Sequence, residues 1–522
     1  MTIAGTVTVA ACSVATALAG IRWLRVAQRE HYIAGSVSRF ALRWWRRGPG
    51  SVAGAAAALA GAVVAWRWPL GGLATAVVVA AGPPGLGLRG RTSALAWTRR
   101  LRTLAAVWVG FVAAAVVLAA VTGAGPPVAA AVAVGVPVLV DLACAVTGPF
   151  ERLMVRSYVS RARERLGRVA PTVVAITGSY GKTSTKGYVA HLVAGSRTVV
   201  ASPASFNNRA GLARAVNENL AEGTEVFVAE MGTYGPGEIA ELCSWLIPDV
   251  SVITAVGSVH LERFGSEERI LEAKAEILEA ARSAVVNVDD PRLAALADRT
   301  EAEGRRVRRV SGSDAGADVS VRTGDGGLIL FVDGAEVARL PPGAQPGNVA
   351  CAVAAALEVG VPLEEIARRV ATLPTAPHRL TAGTGTGGFL VLDDTYNANP
   401  AGAGAALRAL ESMAPPSARR VVVTPGMVEL GPRQAEENAR FAAAVATTAD
   451  DLVVVGRTNR RALLAGARTA VGGGTAGGGG TSGGTLRCVV VGRRDQAVAW
   501  VRDHLGAGDI VLYENDLPDH YP

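Results

Sequence analysis

Residues 173–186 read VVAITGSYGKTSTK, and the fold follows from them. An apolar run of strand character breaks into Gly178, Ser179, Tyr180 and Gly181; Lys182, Thr183 and Ser184 then open a stretch that suits a helix. Glycines permit a tight turn that aims successive N–H groups at an anion, and a helix N-terminus adds positive partial charge. In such a phosphate cradle Lys182 reaches the terminal phosphates of a nucleotide and the Thr183 hydroxyl ligates Mg²⁺. The usual Walker spacing needs glycine where Ile176 stands, so this is a shortened variant. The competing reading is an ordinary Gly-rich strand-to-helix turn.

Upstream of the loop the composition changes. At 522 residues the chain exceeds one core, and its hydropathy is uneven. Residues 3–21, 51–66, 69–83, 104–122 and 126–148 are nearly uncharged runs, each near the ~20 residues that cross a bilayer. The expectation is a membrane region over 1–150 with about five helices. The second and third runs are short and joined by Trp66–Pro69, as a tight external turn or a re-entrant hairpin. Arginines crowd three segments: Arg22 to Arg47, Arg89 to Arg102, and Arg152 to Arg168; only Arg67 falls on the other side. Basic loops stay cytoplasmic, so five spans with an outside N-terminus place every cluster and the phosphate loop in the cytoplasm. A cleaved signal peptide is the rival for the first run alone, but no clean cleavage site precedes the arginines.

The net charge of +8 resides in these clusters, which makes anionic membrane lipid the expected partner and argues against nucleic acid, because the few aromatics are scattered. The five cysteines are far apart with no CxxC pair, so neither a zinc site nor a disulfide framework is indicated.

Beyond Pro171 short apolar strands alternate with helical stretches, as in a parallel α/β sheet: VVAIT, VFVAEM (226–231), VSVITAV (250–256) and SAVVNVDD (283–290). Residues 317–340 alternate like antiparallel strands and read as a small β insertion. FLVLDD, RRVVVTP, DDLVVVG, RCVVVG and DIVLYEN begin a second, Rossmann-like series, and the Gly-rich run at 472–484 reads as a flexible loop. The expected domains are 1–150, 151–375 and 376–522. Glu230 and His260 fall at strand ends, where ligands gather in open α/β sheets, and Lys274 sits near the apolar side of a helix. Taken singly, each has an ordinary reading: a solvated Glu, a structural His, a snorkelling Lys.

Together with TGSYGKTSTK, the blocks SFNNRAGLA (205–213), AEMGTYGPGEIAEL (229–242), GSVHLERFGSEERILEAKAEI (257–277), GNVACAVAAAL (347–357), PHRL (377–380) and DDTYNANP (393–400) resemble the Mur ligases, which join a carboxylate to an amine using ATP. The motifs stand nearest the branch that adds D-alanyl-D-alanine; cyanophycin and folylpolyglutamate synthetases share the scaffold more distantly. The resemblance implies an α/β Mur-ligase-type P-loop central domain and a Rossmann-like C-terminal domain behind the multi-span helical region. It implies ATP and Mg²⁺ as cofactors, and a carboxylate and an amine as substrates, with UDP-MurNAc-peptide and D-alanyl-D-alanine as candidates. By the same resemblance Lys182, Lys274 and His260 are catalytic, and Thr183, Glu230 and His260 hold Mg²⁺. Lys274 matches a lysine the family carbamylates. Asn348, Arg379 and Asp394 join Gly178, Ser179, Gly181, Lys182, Thr183 and Ser184 around ATP, and Asn207, Asn208, Tyr396, Asn397 and Asn399 line the substrate cleft. Turn chemistry is the competing role for the residues of the 393–400 loop.

The chain departs from the family pattern in four places. Membrane segments stand where the UDP-sugar domain is expected; YENDLPDHYP (513–522) replaces the lysine-containing C-terminal motif; a DNPR-type motif is absent; and TPGMVELG (424–431) replaces GDMLELG. Three readings stay open: a cell-wall amide ligase beside a cell-wall or export complex, a poly-amino-acid ligase, and a non-catalytic ATP-binding membrane scaffold.

Overall fold

The computed structural model describes every residue except 1, 89–94, 204–205, 315, 325, 342, 375–380, 396–398, 473–485, 516, 518–520 and 522. The chain divides into two compact units, residues 1–154 with 517–522, and Val155–Asp516.

In the first unit all five apolar runs are helical, but they differ in length. Ile3–Arg29, Arg99–Thr122 and Gly125–Val169 are long and apolar enough to cross a membrane, whereas Pro49–Val64 and Pro69–Ala81 are shorter. The shorter two pack tightly: a Cβ on Gly61 would lie 2.7 Å from Thr75 Oγ1, and that hydroxyl donates to the Ala58 carbonyl at 2.7 Å. The arginines after the first run are not all loop residues. Arg22 donates to the carbonyls of Val79, Ala80 and Ala81 and so satisfies the end of the helix Gly72–Ala81. Ser36–Trp45 forms a further helix, unanticipated in the sequence, whose first turn is capped by Asp141: its carboxylate accepts from Val37 N at 3.1 Å and Ser38 N at 2.7 Å. That contact accounts for an acid in the last apolar run.

The second unit holds two sheets. Among the described residues the first contains β1 (Thr172–Thr177), β2 (Val199–Ala201), β3 (Val226–Glu230), β4 (Val250–Ile253), β5 (Ser283–Asn287), β6 (Arg306–Ser311), β7 (Val319–Gly324), β8 (Gly327–Val332) and β9 (Ala335–Leu340). Their order is β2-β3-β1-β4-β5-β6-β7-β8-β9, parallel through β7 and antiparallel thereafter. The alternating segment at 317–340 is thus no separate insertion; it prolongs the main sheet, because β7 pairs with β6 through Val310↔Val319. β3, β4 and β5 are buried throughout, since helices cover both faces; this is why they read as unbroken apolar runs. Lys182–Val193 and Pro346–Glu358 pack on one face, and Arg209–Asn219, Glu238–Cys243, Glu267–Ala275 and Pro291–Ala302 on the other.

The second sheet comprises β10 (Thr381–Thr384), β11 (Leu390–Asp394), β12 (Arg420–Thr424), β13 (Asp451–Val455), β14 (Arg487–Val491) and β15 (Ile510–Glu514), in the order β10-β11-β15-β12-β13-β14. It is parallel except for β10. The expected α/β architecture, a P-loop sheet followed by a Rossmann-like sheet behind apolar helices, is the one observed.

Candidate active site

The site grows from the C-terminal end of β1. Gly178 has φ 153° and a Cβ there would lie 2.0 Å from Thr254 Oγ1; Gly181 has φ 80° and its Cβ would lie 2.0 Å from Asn348 Oδ1. Both positions therefore demand glycine, for conformation and for space. Ser179 N donates to the Ala255 carbonyl at 2.7 Å, which ties the loop to the end of β4. Gly181 caps the helix Lys182–Val193, and Ser184 is buried in its first turn. Lys182 Nζ folds back to the Gly178 carbonyl at 2.7 Å and the Ser179 carbonyl at 3.5 Å.

Glu230, the last residue of β3, is the hub. Its carboxylate accepts from Thr183 Oγ1 at 3.0 Å, pairs with Lys186 Nζ at 3.0 Å and lies 3.4 Å from Asn207 Nδ2. Burial alone pushes this carboxyl up, but Lys186 and Lys182, with the hydrogen bonds from Lys186 and Thr183, outweigh it and hold the group below the usual carboxylate range. Lys186 is the partner the sequence reading missed. It lies one turn beyond Lys182 on the same helix, and its Nζ also donates to the Pro203 carbonyl at 3.4 Å.

Lys274 is 5 % exposed, and among the described residues no carboxylate pairs with it. Burial, reinforced by the charge of Lys182, drives its pKa well below the ordinary lysine value. Such a lysine is an amine available for chemistry as well as a latent cation.

Among the described residues His260 makes no hydrogen bond or ion pair with Glu230. It caps the helix Leu261–Phe264 with φ 60°, and its Nδ1 meets Glu429 Oε2 in the loop after β12. Glu429 also has φ 65°, so both ends of this contact between the two sheet layers lie in the left-handed region that non-glycine residues avoid. Arg433 Nη1 adds a second link, donating to Glu267 Oε1 at 2.5 Å. Neither Glu429 nor Arg433 was singled out in the sequence, although Glu429 lies in the divergent TPGMVELG block.

Two of the proposed cleft asparagines act as helix caps. Asn208 Oδ1 accepts from Gly211 N at 3.0 Å, and Asn399 Oδ1 from Gly402 N at 2.8 Å. Arg379, Tyr396 and Asn397 lie outside the described residues. Asp394 ends β11 directly opposite Glu514, which ends β15. Glu514 is fully buried with neither side-chain oxygen partnered by a donor, and burial together with Asp394 raises its carboxyl well above the ordinary range.

Among the described residues no group of three or more His, Cys, Asp or Glu side chains gathers as a metal site. Thr183 and Glu230 offer two oxygen donors, the set a hard cation takes when water and phosphate oxygens complete its shell.

Protein-family models for the Mur ligase middle domain and the Mur ligase glutamate ligase domain match residues 176–355 and 378–513. UDP-N-acetylmuramoyl-tripeptide–D-alanyl-D-alanine ligase of Mycobacterium leprae (strain TN) is 36% identical over 377 residues, covering 65% of this chain and 70% of that protein. The enzyme of the same name from Mycobacterium tuberculosis (strain ATCC 25618 / H37Rv) is 35% identical over 356 residues, with 65% and 69% covered. The MurF ligase of Thermotoga maritima, solved in complex with ADP, superposes with a TM-score of 0.58 at 27% identity, over 69% of this chain and 80% of that one. With a glycine-cradled phosphate loop beside a buried glutamate, and both ligase domains matched in order, the chain belongs to the Mur ligase family of ATP-dependent amide ligases.

Proposed function

We propose that this chain is a membrane-anchored ligase that activates a peptide carboxylate as its acyl phosphate and couples it to an amine, in the D-alanyl-D-alanine-adding manner of peptidoglycan precursor synthesis. The observation that carries the reading is the Glu230 hub, which joins the phosphate-loop hydroxyl of Thr183 to Asn207 beside two lysines. Lys182 holds the transferring phosphoryl group once it exchanges its backbone carbonyls for phosphate oxygens. Thr183 and Glu230 hold Mg²⁺, which when bound neutralises phosphate charge. Lys274, in carbamylated form, supplies a further anionic oxygen donor. Asn348 and Asp394 flank the nucleotide, Asn207 orients the acid, and Arg379, Tyr396 and Asn397 complete the cleft. The His260–Glu429 contact holds the acceptor-binding layer against the ATP layer, which excludes water from the acyl phosphate. The amine then displaces phosphate, giving amide, ADP and inorganic phosphate, so no protein nucleophile is required. The apolar helices span the cell membrane with the catalytic layers in the cytoplasm.

The test is phosphate release by the full chain in lipid nanodiscs with ATP, Mg²⁺ and a panel of acids and amines, beside Lys182→Ala. Release dependent on UDP-MurNAc-tripeptide with D-alanyl-D-alanine is expected. Release with amino-acid polymers alone would make it a polymer ligase, and none with any pair would leave a scaffold. Labelling of a cysteine placed between residues 22 and 50 from outside intact cells would overturn the orientation.

A further inference from the structure

The second unit contains a cleft of about 360 Å³ that the reading above does not use. One wall is the helix Gly125–Val169, which presents Arg156, Ser160 and Arg163 from a single face; the other is Arg209 with Ser244 and Trp245. The volume falls in the ~300–1,000 Å³ range of small-ligand sites.

Its electrostatics are one-sided. Arg209 Nη1 pairs with Glu241 Oε1 at 2.8 Å, but Arg156 and Arg163 meet no carboxylate among the described residues. Two positive charges are therefore in excess. Two buried donors also lack acceptors: the Arg209 Nε–H, and the indole N–H of Trp245, which is 6% exposed. Buried N–H groups without partners are uncommon and costly, and here both belong to side chains that line one basic cleft. Guanidinium groups and two hydroxyls, backed by an indole N–H, form an acceptor-seeking wall that suits phosphate oxygens.

The position in the chain is equally specific. Arg209 is two Cα steps, about 7 Å at most, from Asn207, whose amide faces Glu230 at the phosphate loop. Arg156 is the second arginine after the last apolar run, on the same continuous helix. Within the second unit the cleft thus joins the C-terminal part of that helix to the segment just past Asn207.

We infer that this cleft binds the phosphate or diphosphate group that the acid substrate carries. The inference rests on the ligase reading and deepens it: a diphosphate held at Arg163 and Arg209 anchors the far end of the acid while Asn207 faces its reacting carboxylate. Recognition of this kind uses the diphosphate and leaves the group beyond it, a nucleoside or a polyisoprenyl chain, to be defined by experiment.

The test uses the full chain in phosphatidylcholine nanodiscs with ADP occupying the phosphate loop. Binding of radiolabelled inorganic pyrophosphate, of UDP, and of a polyisoprenyl diphosphate incorporated in the discs is measured for the wild type, Arg163→Ala, Trp245→Phe, Arg165→Ala and Lys182→Ala. Arg165 donates to the carbonyls of Leu220 and Asn217 and serves as the control arginine. Pyrophosphate is expected to bind the wild type and Arg165→Ala alike, about tenfold more weakly to Arg163→Ala, as loss of one charge-assisted contact implies, and several-fold more weakly to Trp245→Phe. Additional capture of the polyisoprenyl diphosphate identifies a lipid-linked acid, and capture of UDP a nucleotide-linked one. Binding unaffected by Arg163→Ala but lost in Lys182→Ala would place the anion in the ATP loop and overturn the inference, as would absence of binding. Because binding is read without turnover, failure of the ligase reading would appear separately, as a probe that binds while no amide forms.

Discussion

Glu230→Gln is the substitution whose consequence the structure constrains most tightly. The wild-type carboxylate faces Lys186 at 3.0 Å, with side chains 5% and 7% exposed respectively, so solvent does little to screen the pair. Removing one partner of a buried pair leaves the other charge uncompensated and costs about 3–5 kcal/mol. The amide still receives the Thr183 hydroxyl, so the lower end, ~3 kcal/mol, is expected; for a domain of this size that is roughly 6–12 °C in Tm. Lys186→Met has a similar cost for the converse reason. The double variant loses both charges at nearly conserved volume, so its cost falls short of the sum by about 2–3 kcal/mol. Scanning calorimetry of the full chain in detergent measures all four corners of the cycle. The sign with pH follows from the depressed carboxyl: its contribution is fully present above the unfolded carboxylate range and disappears as pH falls through the folded value. The gap between wild type and Glu230→Gln therefore closes in acid. Strictly additive single costs, or a gap unchanged in acid, would refute the view of Glu230 and Lys186 as one electrostatic unit.

Lys274→Met is expected to abolish phosphate release, to leave ATP binding intact by equilibrium dialysis, and to be at least as stable as wild type at neutral pH, because burial lowers the lysine pKa and folding then works against its charged form; full turnover in this variant would dismiss Lys274 from the site. Gly181→Ala forces a Cβ to within 2.0 Å of Asn348 Oδ1 at φ 80°, so it should cost about 1–2 kcal/mol in conformation alone and weaken ATP at least tenfold; unchanged ATP binding would show that the loop tolerates the side chain. Glu514→Gln should match wild-type Tm near pH 5 and exceed it increasingly toward alkaline pH, since an acid whose folded pKa is raised loses stability as pH climbs from the ordinary carboxylate range through the raised value; parallel pH profiles would show that Glu514 is ionised.

The phosphate loop, the strand that feeds it and the helix that leaves it were legible because each rests on local chemistry: an apolar run, two obligatory glycines and a Lys-Thr pair within 173–186. Glu230 was legible as a strand end. Lys186 was not, because a lysine one turn into a helix reads as solvated, and its burial depends on Glu230 and Pro203 arriving from elsewhere in the chain. The His260–Glu429 contact spans 169 residues and has no local pattern at all. Asn208 and Asn399 carried a local signal that was open to two interpretations, since an asparagine before a helix is both a cap and a polar group at a cleft; the hydrogen bonds to Gly211 and Gly402 show that each caps a helix through Oδ1. In the membrane region hydropathy found the apolar runs, but Ser36–Trp45 was hidden by its arginines, and its cap comes from Asp141.

Charge bookkeeping around Glu230 explains why three lysines share one small region. Lys186 is fixed by a carboxylate at 3.0 Å, whereas Lys182 is held by backbone carbonyls, which a phosphate oxygen displaces far more easily than it would displace Glu230. The stationary lysine keeps the glutamate ionised, and the mobile one is available to the nucleotide. Lys274 lies near enough to feel the charge of Lys182, which together with burial disfavours its cationic form. The same reasoning separates ligand binding from chemistry: removing Lys182 removes the attraction for the nucleotide, whereas removing Lys274 removes no contact of the phosphate loop and should leave nucleotide affinity intact while turnover is lost. A variant series in which Lys274→Met weakened ATP as severely as Lys182→Ala would contradict this division between the two lysines.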